Sequence, residues 1–70
     1  MNIEKLERHI TALVSALKPD QAFGITRVQR MTRLGYVEAN ELVRFGLNTG
    51  YLKRCDSSPY KFYIVPGDTR

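Results

Sequence analysis

The segment Gly24–Tyr36, GITRVQRMTRLGY, constrains the fold more than any other part of the chain. Thr26 and Gln29 have the spacing of a capping box, which predicts that a helix begins at Thr26. Gly35 then follows, and a left-handed glycine ends a helix without the steric penalty of a Cβ atom. A second helical pattern begins at once and runs to Gly50. Two helices joined by so short a turn predict a helix-turn-helix over about residues 26–49.

The spacing of apolar residues predicts one more helix, over about residues 2–18. Asn2 is a suitable N-cap, and Pro19 stops the helix. His9 lies at the border of the apolar face and is interpreted as a boundary side chain. The face itself comprises Ile3, Leu6, Ile10, Leu13, Val14 and Leu17. The inward residues of the helix-turn-helix are expected to be Ile25, Val28, Met31, Tyr36, Ala39, Leu42, Val43, Gly46 and Leu47.

After Gly50 the pattern changes to aromatic and β-branched residues, which favour strands. Residues 51–55 and 60–65 predict a β-hairpin over about residues 51–65, with a turn at residues 56–59. Gly24 and Ile25 are the site of a short strand or an extended lead-in. Pro66 and Gly67 are expected to end the hairpin, and the last three residues to fray. The whole chain, residues 1–70, therefore predicts a single α+β domain, a winged helix-turn-helix with three helices followed by a hairpin wing.

Composition excludes most catalytic and metal-binding classes. The chain has one His and one Cys, so it cannot supply a metal site of several such ligands, and it has no Gly-rich phosphate loop. We therefore expect no enzyme, no catalytic residue, no metal and no cofactor. The single Cys55 favours a reducing cytoplasm, and the sequence has no apolar run that would span a membrane.

The net charge of +4 is unevenly distributed. Residues 1–20 contain three basic and three acidic side chains, so the whole excess belongs to residues 21–70. Within that part, Arg27, Arg30 and Arg33 recur every third residue along the first helix of the helix-turn-helix. Arginine forks suit phosphate oxygens, so this row is expected to hold a DNA backbone. The alternative is that the arginines solvate the surface and pair with Glu38 or Glu41.

The second helix of the helix-turn-helix is the candidate reading element. Its outward face is expected to carry Val37, Glu41, Arg44 and Asn48, with Glu38 and Phe45 on one flank and Asn40 on the other. Asparagine pairs with adenine, arginine with guanine, a carboxylate with cytosine N4, and an exposed apolar side chain with a thymine methyl. The carboxylates of Glu38 and Glu41 would also repel phosphates. They are therefore expected either to form a base contact or to weaken binding to incorrect DNA sequences. Val37 and Phe45 would equally suit a protein partner.

The hairpin adds basic residues that could contact the DNA backbone or a minor groove, with Arg54 and Lys61 the main candidates and Lys53 beside them. The alternative is that these charges protect an edge strand. The neighbouring tyrosines, Tyr51, Tyr60 and Tyr63, are expected to pack the hairpin on the helices.

The helix-turn-helix resembles the gamma domain of the FtsK/SpoIIIE DNA translocases, a small winged helix that reads short oriented DNA sequences. The resemblance covers about residues 24–52 and rests on the pattern Ile25-x-x-Val28-Gln29-Arg30-x-x-Arg33-x-Gly35-Tyr36-x-x-Ala39, with Gly50 closing the helix. It implies that Gln29, Arg30 and Arg33 face DNA. We expect a stand-alone relative, because 70 residues leave no room for the translocase motor.

The resemblance ends where the family reads bases. After Gly-Tyr the family typically has Asn-Arg-Ala-Ala-Arg, whereas this chain has Val37-Glu38-Ala39-Asn40-Glu41. Both arginine positions carry glutamate, so the family's base-reading residues and target sequence are not carried over.

Together these features predict a small bacterial or phage protein that binds duplex DNA selectively, in transcription regulation or DNA processing. A fold of this size favours a homodimer or tandem sites for tight binding. The alternative is an adaptor or inhibitor that uses the acidic face of the second helix to bind a protein.

Overall fold

A computed structural model describes residues 2–65, and the expectations for residues 66–70 lie outside that range. The chain forms three α-helices and a three-stranded antiparallel sheet with the strand order β1-β3-β2, which confirms the α+β class. The elements in chain order are α1 (Ile3–Ala16), β1 (Phe23–Gly24), α2 (Ile25–Thr32), α3 (Tyr36–Thr49), β2 (Leu52–Cys55) and β3 (Ser58–Ile64).

Helix α1 forms where its apolar period predicts it, and Asn2 caps it. The side-chain oxygen of Asn2 accepts a hydrogen bond from the backbone N–H of Lys5 at 2.9 Å, which satisfies one of the unpaired donors of the first turn. Leu17 has already left the helical region, with φ −105° and ψ 150°, so the helix ends two residues before the predicted position 18.

Helix α2 begins one residue earlier than the capping box predicts, at Ile25. Gly24 is the N-cap residue, and Thr26 lies inside the helix, so the predicted cap at Thr26 is wrong. The reason is tertiary: Gly24 is paired with Lys61 of β3, and this pairing holds Gly24 in the extended conformation that precedes the first helical turn.

Helix α2 also ends earlier than predicted, and the left-handed residue is Arg33 rather than Gly35. Arg33 has φ 60° and ψ 24°, and its N–H donates to the Gln29 carbonyl at 2.8 Å. The Thr32 hydroxyl donates to the Val28 carbonyl at 2.6 Å and accepts from the Leu34 N–H at 3.4 Å. These bonds satisfy backbone groups at the helix end, and they leave Gly35, at φ −70° and ψ 171°, to act as the N-cap of α3.

Helix α3 buries the side formed by Ala39, Leu42, Val43 and Gly46, and it ends at Gly50 with φ 86°, as predicted. Tyr36 was expected to be inward but is 62% exposed, because the buried side begins only at Ala39, nearly one turn into the helix. Met31 of α2 is also wrongly predicted as inward, because Val28 fills the buried position and Met31 is 40% exposed. Phe45, expected to be exposed, is half-buried and packs against the core.

The hairpin has a tighter turn than predicted. Cys55 is paired with Ser58, so Ser58 and Pro59 belong to β3 and only Asp56 and Ser57 lie between the strands. The pairing changes register between Arg54 and Cys55. On its other edge β3 pairs with β1, which places Phe23 beside Phe62 with ring centroids 6.1 Å apart.

The core lies between the three helices and the sheet. Its residues are Leu6, Ile10, Leu13, Leu17, Phe23, Val28, Ala39, Leu42, Val43, Leu52, Phe62 and Ile64. Because every helix and every strand contributes to this cluster, the helices hold fixed positions relative to the hairpin, and their outward faces form a defined surface.

Candidate nucleic-acid interface

Helix α2 presents two of the three predicted arginines to solvent. Arg27 and Arg30 are exposed and line one shallow depression together with Thr26 and Met31. Two guanidinium groups three residues apart on one helix can contact neighbouring phosphates, each through paired N–H donors. Gln29, which the resemblance implies is DNA-facing, is half-buried.

Arg33 does not continue the helical row. It is exposed, but its left-handed backbone lies after the last residue of α2 and turns the chain toward α3. The predicted stripe of three arginines is therefore a pair on α2 and a third arginine in the turn. A left-handed conformation is unfavourable for a residue with a Cβ atom, so this arginine occupies a position where glycine would be more stable.

The outward face of α3 forms as the helical period predicts. Val37, Asn40, Glu41 and Arg44 line a single shallow depression, and Val37 is 70% exposed. Asn48 is exposed farther along the helix. The face thus combines an apolar group, an amide, a carboxylate and a guanidinium, the groups used to contact base edges in a major groove.

Glu38 is separated from this depression although it is only three residues from Glu41. It lines a different depression, formed with Leu34 and with Lys5, Arg8 and His9 of α1. Glu38 therefore lies beside the basic residues of α1 and outside the depression on the outward face of α3.

Lys5 and Arg8 are the residues that sequence reasoning missed. Residues 1–20 have no net charge, but this sum conceals how the charges are arranged around the helix. At 100° per residue, Lys5 and His9 lie on one flank of the apolar face, Glu7 lies on the other, and Arg8 lies opposite the face.

The hairpin holds its basic residues in two different ways. The Arg54 guanidinium donates to the Pro59 carbonyl at 3.2 Å and lies 5.7 Å from the centroid of the Phe62 ring. The Lys53 Nζ lies 5.9 Å from the centroid of the Tyr63 ring. These contacts hold the side chains of Lys53 and Arg54 against the hairpin, although both residues are exposed, as Lys61 is.

The tyrosines of the hairpin do not all pack as expected. Tyr51 and Tyr63 are half-buried, but Tyr60 is 83% exposed. Tyr60 lies on the turn side of Phe62, beyond the last β3 side chain that reaches the core, so no core contact is available to it.

Cys55 is buried and hydrogen-bonded within the hairpin. Its Sγ atom lies 3.2 Å from the Ser57 hydroxyl and donates to the Tyr63 hydroxyl at 3.5 Å. The Ser57 hydrogen bond, followed by that of Tyr63, lowers the pKa of the Cys55 thiol to about 7. The hydrogen bond to Cys55 in turn raises the pKa of Tyr63.

Within residues 2–65, no group of three or more His, Cys, Asp or Glu side chains is arranged to hold a metal ion. The helices of the same part of the chain are all too short or too polar to cross a membrane. No protein-family model matches this chain, and no curated protein or solved structure matches it either.

Proposed function

We propose that this protein binds duplex DNA through α2 and α3, as a winged helix-turn-helix. The observation that carries the proposal is the outward side of α3, where Val37, Asn40, Glu41 and Arg44 lie around one solvent-facing depression. The order of helices and antiparallel strands is compatible with this fold. The role proposed for the protein is selective binding in regulation or DNA processing, without a catalytic step.

In the proposed complex, α2 contacts the phosphate backbone and α3 lies in the major groove. Arg27 and Arg30 contact phosphates, and Arg33 does so from the turn. These contacts set the position and orientation of the protein but do not distinguish one sequence from another. The attraction between these arginines and the phosphates is the same at every sequence along the duplex, and it weakens as the salt concentration rises.

Sequence selectivity is assigned to α3. Arg44 suits guanine, Asn40 and Asn48 suit adenine, Glu41 suits the N4 amino group of cytosine, and Val37 suits a thymine methyl. A glutamate near phosphates loses hydration and is repelled, so Glu41 favours only those sites at which it gains a hydrogen bond. The preferred sequence is therefore expected to differ from that of the FtsK/SpoIIIE gamma domains.

The hairpin supplies a flanking contact in this proposal. Lys61 is its principal phosphate-binding residue, because Arg54 is bonded to Pro59 within the hairpin. One module of this size has few contacts, so tight binding is expected to involve two copies on a palindromic or tandem site.

The test is a titration of labelled protein with a short mixed-sequence duplex at low salt, followed by amide NMR. Shifts are expected in α2, in the outward residues of α3 and around Lys61. Arg30→Gln is expected to weaken binding to all sequences and to reduce the slope of log K against log salt by about one unit. If α2 and α3 show no shifts, the protein does not bind DNA in the proposed way.

The second candidate function is a protein-interaction module. Tyr36 and Val37 are adjacent at the start of α3 and are 62% and 70% exposed, and a contiguous exposed apolar patch is typical of a protein-binding surface. The distinguishing variant is Tyr36→Ser/Val37→Ser. Loss of a partner captured by the wild-type protein, with no DNA-induced shifts in either protein, would favour this function over DNA binding.

A further inference from the structure

A largely apolar depression connects the surface of the α2 arginines with α1. The depression that contains Arg27 and Arg30 shares Met31 with a second depression, which lies between α1 and α2. That second depression shares His9 with a third one, which is formed by α1 and the start of α3. A continuous strip of surface therefore runs from the α2 arginines across α1 to the first turn of α3.

The far end of this strip is basic. Lys5, Arg8 and His9 line the third depression, and the side chains of Lys5 and Arg8 are exposed. Arg8 also lines a second depression on its other side, together with Glu4 and Glu7. Lys5 and His9 are therefore set apart from Glu4 and Glu7, Arg8 lies between the two groups, and the side of α1 that carries Lys5 and Arg8 lies next to the start of α3.

We propose that Lys5 and Arg8 form a second phosphate-binding site, which contacts the DNA backbone beside the first turn of α3. This inference rests on the proposed DNA-binding function. The outward depression of α3 and the depression of Lys5 and Arg8 are adjacent, because consecutive residues line them. Val37 lines the first, and Glu38 lines the second. A duplex held against Val37 therefore brings its backbone to the basic side of α1.

Glu38 weakens the phosphate-binding site formed by Lys5 and Arg8. Glu38 lines the same depression as Lys5 and Arg8, and its negative charge reduces their attraction for phosphate. Glu38 therefore limits binding to all DNA sequences and does not read a base. Removing its charge with Glu38→Gln should tighten binding to unrelated duplexes by a similar factor for each, whereas loss of a base contact would weaken binding to one sequence.

The test compares Lys5→Gln with Lys18→Gln. Both lysines are exposed and both variants lose one positive charge, but Lys18 lies after the end of α1 and outside the strip. Binding to a mixed-sequence duplex is measured by fluorescence anisotropy at salt concentrations from about 50 to about 200 mM. Circular dichroism establishes that each variant keeps the wild-type helix content and melting temperature.

We expect Lys5→Gln to bind the duplex roughly five- to tenfold more weakly at 100 mM salt. One phosphate contact contributes about 0.9 to the slope of log K against log salt, which corresponds to about this factor at 100 mM relative to 1 M salt. Lys18→Gln should bind like the wild type. If Lys5→Gln and Lys18→Gln bind equally while Arg30→Gln still lowers the slope, the α1 site is wrong and the DNA-binding function stands. If the wild-type protein binds no duplex at the lowest salt, both proposals are overturned.

Discussion

Helix α3 lies close to α1 and β2 at Gly46. A Cβ atom at this position would lie 2.7 Å from Cδ1 and Cγ of Leu52 and 2.9 Å from Cδ1 of Ile10. Both neighbours are core residues with 2% and 0% of their surface exposed, so neither has free space to move into. Gly46→Ala is expected to destabilise the protein by about 1–3 kcal/mol, measured by urea unfolding.

Gly35→Ser serves as the control for this substitution, because the Cβ atom it adds has no heavy atom within 4 Å. Gly35 is the N-cap of α3, where serine is at least as favourable as glycine, so the change in unfolding free energy should be a few tenths of a kcal/mol. Equal destabilisation by both variants would show that the close approach at Gly46 is not the cause.

Cys55 makes the stability of the protein depend on pH. Its hydrogen bonds to Ser57 and Tyr63 lower the pKa of the folded thiol from the ordinary 9.0 to about 7, so the folded state favours the thiolate. This stabilisation is fully present above pH 9 and is lost as the pH falls through 7. We expect the wild-type protein to gain stability relative to Cys55→Ser between pH 7 and 9, measured by urea unfolding at each pH.

The same pair of hydrogen bonds can be tested at the thiol itself. Ser57→Ala removes the largest cause of the shift, so the pKa of Cys55 should rise in that variant. The measurement is thiolate absorbance in the ultraviolet as a function of pH, with Cys55→Ser as the blank. An unchanged titration midpoint in Ser57→Ala would exclude Ser57 as the cause.

At the scale of elements, the junction between α2 and α3 is strained at Arg33. A residue with a Cβ atom in the left-handed conformation is about 1 kcal/mol less stable than glycine. Arg33→Gly should therefore raise the unfolding free energy by roughly that amount, less any loss from the greater freedom of the unfolded chain. In the proposed complex it should also weaken DNA binding, because the guanidinium is lost.

Thermal unfolding and duplex titration of Arg33→Gly separate these two effects. A more stable protein with unchanged DNA affinity would mean that Arg33 contacts no phosphate. A less stable protein would mean that the side chain of Arg33 contributes more to the fold than its backbone conformation costs.

At the scale of the whole molecule, β1 joins the helical part of the chain to the hairpin. Phe23 is 2% exposed and lies beside Phe62 in the paired strand. Replacement of Phe23 by alanine should lower the free energy of unfolding by about 3–5 kcal/mol. A 70-residue domain has an unfolding free energy of roughly 4–10 kcal/mol in total, so Phe23→Ala should lose about a third of it or more and should melt at a clearly lower temperature by circular dichroism.

Tyr60→Ala is the matched control, because it also removes an aromatic ring from the strands but from a side chain that is 83% exposed. Its unfolding free energy should stay within about 0.5 kcal/mol of the wild type. If Phe23→Ala proved as stable as Tyr60→Ala, the pairing of β1 with β3 would not be needed to hold the sheet against the helices.

The sequence by itself determined the features that depend on neighbours along the chain. Helices α1 and α3 follow from a 3.6-residue apolar period, the Asn2 cap from the first helical turn, and the end of α3 from the left-handed Gly50. The outward face of α3 follows from the same period, because a helix fixes the direction of each side chain relative to the buried ones.

Tertiary structure decided the features that depend on residues far apart in the sequence. Strand pairing with Lys61 moved the start of α2 to Ile25, and the edge of the core decided that Tyr36 is exposed. Packing of α1 against α3 placed Lys5 and Arg8 beside Glu38, which no local pattern encodes. The physical reason is that propensity and capping act within a few residues, whereas burial and the position of charges are set by which elements pack together.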